Sequence, residues 1–336
     1  MIAVLKNKRL WGSIVAVFFL WLSFRGVRLA DFASIGSRLQ LSYVFPALAL
    51  GFLMVAMRAV RWQGLIAPTR RIPTSRVIPL YALGLTLNIA MPALTGHVGR
   101  LLLFARRESI RKTVIFSTFL METLFDALTF VAFMAITSAL FVFPAEYRSA
   151  SWIVGGVCLA VIGLLTLYLT NMERLGAFGR RYVRVRWRGV YITLKKFSRS
   201  FTKGMAGLRT SSNVASSLGL SVGTWLAHAA MVYLLFRAFG FHTNLPLVAA
   251  FVILIVNTLA LLVPLTPGNA GTFEFAVITT LRWFGLEKTD ALLFAVTLHI
   301  LDILPIFLLG ALPYKAPAPR GKESVNIPVS AGVGGG

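Results

Sequence analysis

Charged residues, and acidic ones above all, are scarce in this 336-residue chain. Asp, Glu, Lys and Arg together make up 13% of it, against about 25% in a typical soluble protein, and 57% of its residues are hydrophobic. Charge is absent over long runs such as Leu41–Met57, Ala127–Pro144 and Ala150–Asn171. Because about 20 apolar residues carry an α-helix across the hydrocarbon of a bilayer, we predict an all-α polytopic membrane protein with little mass outside the membrane.

Sequence motifs for catalysis are also missing. The single cysteine, Cys158, lies in an apolar run and excludes a framework of internal disulfides. The chain has no Gly-Lys-Ser/Thr phosphate loop, no metal-ligand cluster and no nucleophile–His–acid pattern. Only Glu122 and Asp126, four residues apart on one helix face, offer a weak site for a divalent ion. A protein that is not an enzyme and needs no cofactor is therefore favoured.

Basic residues are abundant, with 34 Lys and Arg and a net charge of +23. They are concentrated between the apolar runs, with five in 58–76, four in 106–112 and eleven in 174–209. This is the distribution that the positive-inside rule produces. The expected partners are anionic lipid headgroups at the cytoplasmic face of a cell (inner) membrane, and nucleic acid is not expected.

The apolar runs predict helices at about 9–24, 41–57, 77–104, 113–143, 151–170, 214–239, 246–284 and 289–313. Arg25 and Arg28 directly follow the first run, which favours an uncleaved helix over a signal peptide. Segments 77–104 and 246–284 contain Pro and Gly at their centres. If both are re-entrant hairpins, six helices cross the membrane, all three strongly basic loops face the cytoplasm, and so do both termini.

We predict a single transmembrane domain over 1–313, with halves at about 9–143 and 151–313. The linker 174–209 has no acidic residue, and apolar side chains recur in it at helical spacing. Two interpretations stay open, an amphipathic helix on the cytoplasmic leaflet or a plain basic loop. The tail 314–336, rich in Pro, Gly and Ser, is expected to be disordered.

The two interrupted segments repeat the same spacing of helix breakers. In each, a proline is followed by a glycine four residues later and another after three more, and the second adds Pro267; the residues are Pro92, Gly96, Gly99, Pro264, Gly268 and Gly271. Matching interruptions in two halves of a membrane protein point to a transport site, since unpaired backbone groups are tolerated at membrane depth only against protein or water. The orientation above makes this an inverted repeat.

Ionisable residues accompany both breaks. A charge near the bilayer centre costs about 2.5–3.5 kcal/mol, so it faces a partner or a cavity. Candidates for binding a substrate are Arg100, Glu122, Asp126, Glu274 and His97, and candidates for proton coupling are His299 and Asp302. The alternative for the charged residues in this set, above all for Glu122 and Asp302, is that they pair with one another and only fasten helices. Asn88 and Asn257 are expected to cap or brace the broken backbone and not to contact the substrate.

These residues resemble the transmembrane region of lysylphosphatidylglycerol synthases and related flippase-like membrane proteins. Asn88 through Pro92, Gly96 and Arg100 is similar to that family's motif Asn…Pro…Gly-Glu-x-x-Arg. Residues 264–274 resemble its Pro-x-x-Pro-Gly-Gly-x-Gly-x-x-Glu, 122–126 its Glu-Arg-x-x-Asp, and 58–62 a basic-Trp pair at the end of the second helix. The resemblance covers about 10–313 and implies the translocating half of such proteins, without an aminoacyl-transferase domain.

The chain departs from the family pattern at three positions. His97 stands where Glu is usual, Thr123 where Arg is usual, and His299 where Arg is common. The headgroup that this protein prefers is therefore expected to differ. The resemblance implies a flippase for a lipid of the cell envelope. That lipid is a phospholipid, with or without an aminoacyl group, or an isoprenoid or polyprenyl-phosphate-linked lipid. The alternatives are a membrane-embedded enzyme or an accessory scaffold whose partners are envelope biosynthesis enzymes.

Overall fold

The computed structural model describes residues 39–91, 95–144, 211–243, 245–262 and 266–313, with isolated positions between 149 and 202. The predicted first helix at 9–24 and the tail 314–336 lie outside the described residues, as does most of 151–210. The described positions of the linker, such as Tyr191, Lys195 and Lys196, are helical. The choice between amphipathic helix and basic loop therefore stays open.

Helices make up the regular structure of the continuously described ranges, and no strand occurs there, which confirms the all-α class. They are α1 Leu41–Ile66, α2 Thr74–Ala90, α3 Thr95–Arg107, α4 Lys112–Leu140, α5 Ser211–Ala238, α6 Leu247–Ala260, α7 Thr272–Trp283 and α8 Lys288–Gly310. Among these, α1, α4, α5 and α8 are long and apolar enough to cross a membrane. The other four have 12 to 17 residues, too few for a span of about 20 residues.

The first interrupted segment is a helical hairpin. Helix α2 ends at Ala90 and α3 begins at Thr95. A methyl group on Gly96 would lie 2.6 Å from Cα of Asn88, and one on Gly84 would lie 2.8 Å from Cγ of Arg100. Because residues before the break meet residues after it in reverse order, α2 and α3 run antiparallel. The absence of a side chain at Gly96 therefore allows the backbones of α2 and α3 to approach closely.

The second interrupted segment also consists of two short helices that pack on each other, α6 and α7. Between them the chain forms a 3₁₀ turn at Pro267–Asn269. Gly268 and Gly271 have φ of 61° and 83°, and Asn269 has φ of 57°. The left-handed region favours Gly and, among other residues, Asn. The glycines predicted to break this segment are thus required by its backbone conformation, whereas Gly96 and Gly99 already belong to α3.

The second predicted helix, 41–57, is nine residues longer in the structure. Helix α1 continues through Arg58 and Arg61 to Ile66. Arg61 and Trp62 are fully buried in it, so they are helix residues, as the basic-Trp pattern predicts, and Arg61 does not belong to the basic loop 58–76 in which the charge count places it. The charge of Arg61 did not end the helix because acidic side chains of another helix neutralise it, as described below.

Small residues allow the long helices to approach closely. Helices α1 and α5 form the largest contact and run antiparallel, because Gly51 meets Met231 while Met57 meets Gly223. A methyl group on Gly51 would lie 2.9 Å from the ring of Pro305 in α8. Small residues at helix crossings are the usual means of packing in a membrane, where apolar burial does not drive association.

We expect Gly96→Ala to destabilise the first hairpin by about 1–3 kcal/mol, the usual cost of overpacking. The added methyl group would overlap the backbone of Asn88, which cannot move aside without opening the hairpin. Gly64→Ala is the matched control, since Gly64 in α1 has open space around its Cα. Thermal unfolding in detergent should show a lower Tm for Gly96→Ala only. An unchanged Tm would contradict the close contact.

Candidate functional site

A cavity of about 380 Å³ lies between the described helices. Each of the four spanning helices lines it with residues at or next to its midpoint: Met54 in α1, Asp126 in α4, Thr224 in α5 and His299 in α8. A cavity at the middle of membrane-spanning helices lies near the bilayer midplane, where transporters bind their substrates. Its volume falls within the range of about 300–1,000 Å³ typical of ligand sites.

Both interrupted segments form part of the cavity wall. Asn88 and Ile89 line it from the last turn of α2, and Gly268 and Asn269 line it from the turn that precedes α7. The two breaks therefore meet at one site, although 180 residues separate Asn88 from Gly268. Broken backbone is tolerated here because it borders protein and a polar cavity.

An arginine–carboxylate cluster lies beside the cavity between α1 and α4. Arg61 donates to both carboxylate oxygens of Asp126, at 2.5 and 2.9 Å, and to Oγ of Ser221 at 2.5 Å. Its Nη2 also lies 3.5 Å from Glu122. The guanidinium is buried while the Asp126 side chain is 43% exposed. Asp126 thus turns a partly accessible carboxylate towards the cavity and is held there by Arg61.

Arg100 joins this cluster from the first hairpin. It donates to Glu122 at 3.0 Å, and Tyr81 also donates its hydroxyl to Glu122. The rings of Tyr81 and Phe119 each lie 4.4 Å from the guanidinium carbon. Arg100 and Glu122 are both buried, and two arginines and two carboxylates give the cluster no net charge. Such a buried cation, paired and stacked on aromatic faces, fixes α3 to α4.

Neither Arg100 nor Glu122 lines the cavity in this conformation. The expectation that they contact a headgroup therefore stays a prediction, and Arg100 would first have to leave Glu122. The alternative, that Glu122 fastens helices, agrees with its three partners Arg61, Arg100 and Tyr81. Glu122 and Asp126, the pair considered for a divalent ion, are both bound by arginines: Arg100 binds Glu122 and Arg61 binds Asp126.

Glu274 and His299 connect the second break to α8. Glu274 accepts a hydrogen bond from the backbone N–H of Gly271 at 2.6 Å and so caps the start of α7. Its other oxygen lies 2.6 Å from Nδ1 of His299, whose Nε2 lies 3.0 Å from the carbonyl of Gly268. Because that carbonyl only accepts, His299 carries a proton on Nε2, and a second proton lies between Nδ1 and Glu274. His299 thus joins both sides of the turn.

The remaining predicted site residues are divided between the cavity and the surface. Asp302 lines the cavity, and Nε2 of His228 lies 3.0 Å from its carboxylate, an ion-pair distance without hydrogen-bond alignment. His299 lines it too, so both candidates for proton coupling face one space. His97 is exposed in the first turns of α3 and is separate from the cavity.

Four ionisable residues at the site were not among the predicted site residues: Arg58, Arg61, Tyr81 and His228. Arg58 and Arg61 carried a signal, since they stand three residues apart before Trp62, but the pattern was interpreted as the end of a helix. His228 stands alone in an uncharged run, and Tyr81 is one of eight tyrosines. Arg61, Tyr81 and His228 contact acidic residues that lie 41 to 74 positions away in the chain, which a single sequence does not reveal.

The carboxamides of Asn88 and Asn257 do not brace the breaks as expected. Both residues line the cavity, and within the described residues neither side chain makes a hydrogen bond. Only the backbone carbonyl of Asn257 accepts from Leu261 at the end of α6. Asn257 is 6% exposed, and its Oδ1 has no partner. A buried polar group without a partner is costly, which marks it as a group available to a ligand.

Comparison with known proteins agrees with this architecture. The family model for the lysylphosphatidylglycerol synthase TM region matches residues 9–310, which is most of the chain. The match includes both interrupted segments and every residue of the cavity named above. Comparison with curated proteins finds no match. The chain therefore belongs to the lysylphosphatidylglycerol synthase transmembrane-region family.

Proposed function

We propose that this protein is a flippase or transporter that moves a lipid headgroup through the central cavity while the acyl or prenyl tails stay in the bilayer. The observation that carries the proposal is the position of the cavity, at the midpoints of four spanning helices and between two broken segments. A polar headgroup that crosses the hydrocarbon core needs polar surroundings at the bilayer midplane, and this cavity offers them. Family membership supports a role in lipid metabolism or transport.

The polar groups of the cavity suit a headgroup better than an apolar ligand. Asp126 and Asp302 offer carboxylates, His228 and His299 offer imidazoles, and Asn257 offers an unpaired amide. These groups can hydrogen-bond the hydroxyl or ammonium substituents of a headgroup. The substituents would therefore not be buried without a partner, which is costly. The lipid classes in question are a phospholipid, with or without an aminoacyl group, and a polyprenyl-phosphate-linked or other isoprenoid lipid of the cell envelope.

The proposed route uses the two hairpins as gates. With N- and C-termini in the cytoplasm of a cell (inner) membrane, the first hairpin enters from the cytoplasm and the second from outside, as the basic loops suggest. Opening one hairpin at a time would expose the cavity to each leaflet in turn. Proton coupling through His299 and Asp302 is part of the proposal, because both line the cavity.

Lipid scrambling in proteoliposomes tests the proposal. Fluorescent phospholipids and polyprenyl phosphates are placed in both leaflets, and the fraction accessible to an external quencher is followed over time. The decisive variant is Thr258→Phe, which places a ring inside the cavity from α6, against Val222→Phe on the exposed face of α5 as control. We expect wild type and Val222→Phe to scramble at least one lipid class, and Thr258→Phe to lose about 90% of the rate or more, as occluding a binding site demands.

Other outcomes distinguish the alternatives. If the folded wild type scrambles no lipid, translocation is wrong, and the choice falls to an accessory scaffold or an enzyme. Turnover of a polyprenyl phosphate by purified protein would favour the enzyme. Stable co-purification with an envelope biosynthesis enzyme would favour the scaffold. Equal loss in both phenylalanine variants would show that the effect is not specific to the cavity.

A further inference from the structure

We propose that Arg58 binds the phosphate of the ligand, so that the cavity takes phosphate-bearing headgroups and not phosphate-free lipids such as diacylglycerols. This inference rests on the proposed function and narrows its substrate class. It starts from the charges around the cavity, nearly all of which are already balanced. Arg61 and Arg100 are paired with carboxylates, and Glu274 with His299.

Arg58 is different from these two arginines. It lines the cavity, is half-buried, and makes no hydrogen bond or ion pair with any residue in the part of the chain that the structure describes. It stands one turn from Arg61, whose guanidinium is bound by Asp126 and Ser221. A cation without a partner near the bilayer centre costs about 2.5–3.5 kcal/mol. A bound anion removes that cost, and phosphate is the commonest anionic group of membrane lipids.

The rest of the cavity fits the remainder of such a headgroup. Gly51 and Arg58, seven residues apart on α1, both line it, so it extends about 10 Å along the helix axis at 1.5 Å per residue. At the Gly51 level α1 packs against Leu301 and Pro305, next to Asp302. The cavity therefore offers a free guanidinium at the level of Arg58, near the Asp126 carboxylate that Arg61 already binds, and the carboxylate of Asp302 towards the Gly51 level. Asn257, buried and without a partner, adds hydrogen-bonding groups to the wall.

A guanidinium at this position selects phosphate for a chemical reason. It presents several N–H donors in one plane and binds phosphate oxygens in pairs, with hydrogen bonds about twice as strong as neutral ones. The same chemistry is present in a lipid headgroup and in a free phosphate ester. Only a lipid can bring its phosphate to this depth with its tails in the surrounding bilayer, so we commit to a phosphate-bearing lipid.

The test is equilibrium binding to the purified full-length protein, followed by the ligand-dependent rise of Tm in a detergent without phosphate. The ligands are phosphatidylglycerol, a polyprenyl phosphate, a diacylglycerol and soluble sn-glycerol 3-phosphate. The proteins are wild type, Arg58→Gln, Arg58→Lys and Arg71→Gln, where Arg71 is an exposed arginine in the connection from α1 to α2. Arg58→Lys keeps the charge and shows whether a variant at this position folds.

We expect Arg58→Gln to raise the apparent Kd for at least one phosphate lipid about tenfold or more, the loss expected for a charge-assisted hydrogen bond. Arg58→Lys should lose less, and Arg71→Gln should match wild type. Diacylglycerol should bind weakly and equally to all four proteins. Binding of glycerol 3-phosphate as tightly as a lipid, with the same dependence on Arg58, would support the phosphate site and overturn the choice of a lipid.

Failure of this inference and failure of the proposed function give different results. If wild type and Arg58→Gln bind phosphate lipids equally, or if diacylglycerol loses as much affinity as the phosphate lipids, Arg58 is not a phosphate site, whether or not lipids are scrambled. If binding depends on Arg58 but no lipid is scrambled, the phosphate site stands and translocation is wrong.

Discussion

Glu122→Leu is expected to destabilise the protein by about 3–5 kcal/mol, the cost of removing one partner from a buried ion pair. Glu122 is the carboxylate that Arg100 and Tyr81 share, and it lies next to Arg61. Without it, Arg100 keeps its aromatic neighbours but has no anion within the buried space between α3 and α4. The measurement is unfolding of the purified protein in mixed micelles, followed by circular dichroism.

Two variants show whether the pair itself is responsible. Thr123→Leu, at the next position of α4, changes an exposed side chain whose hydroxyl bonds only its own helix, and it should leave stability nearly unchanged. Arg100→Leu combined with Glu122→Leu should recover much of the loss, because the double variant buries no unpaired charge. A single variant as stable as wild type would contradict the pairing of Arg100 with Glu122.

Glu274→Ala is the second change with a large expected effect, about 3 kcal/mol. It removes the cap of α7 and the partner of Nδ1 of His299 in one step. The turn at Gly268 then keeps its internal hydrogen bonds to Thr266 and the contact of the Gly268 carbonyl with Nε2 of His299, but it loses its link to the Glu274 carboxylate. We expect a lower Tm and faster proteolysis within 262–272. Proteolysis followed by mass spectrometry locates the cuts.

Glu274→Gln and Glu287→Ala are the comparisons. The amide oxygen of glutamine can still accept from Gly271, so Glu274→Gln should lose less than half as much stability as Glu274→Ala. Glu287 precedes α8 at the surface and its side chain does not cap that helix, so its removal should change little. Cuts distributed over the whole chain in Glu274→Ala would show global unfolding instead of release of the turn.

The interrupted segments were predictable because Pro and Gly act locally. A proline removes a backbone donor and a glycine permits positive φ, whatever lies nearby in space. Both breaks occur where the sequence placed them, and the structure shows the first as a helical hairpin. The chemical reason for each glycine was not predictable, since Gly96 permits a close contact and Gly268 a left-handed conformation. Orientation and the inverted repeat stay predictions.

The pairing of charges was not predictable from the same information. Arginines at a helix end suggest a cytoplasmic boundary, and the sequence therefore places Arg58 and Arg61 at the junction of the second helix and the basic stretch 58–76. In the structure Arg61 lies inside α1 because Asp126, 65 residues later, reaches it from α4. Such contacts depend on which faces of the helices meet. The sequence indicates those faces only where a small residue, such as Gly51, permits two helices to approach closely.

The central claim, that a headgroup crosses the membrane through this cavity, is tested most directly by asking from which side the cavity can be reached. Thr258→Cys in a Cys158→Ser protein places the only thiol in the cavity wall, and Val222→Cys places it on the exposed face of α5. A membrane-impermeant thiol reagent is added to either side of oriented proteoliposomes. We expect Thr258→Cys to react from both sides, and to react more slowly when the transported phosphate lipid is present. Reaction from one side alone, unaffected by any lipid, would contradict the account.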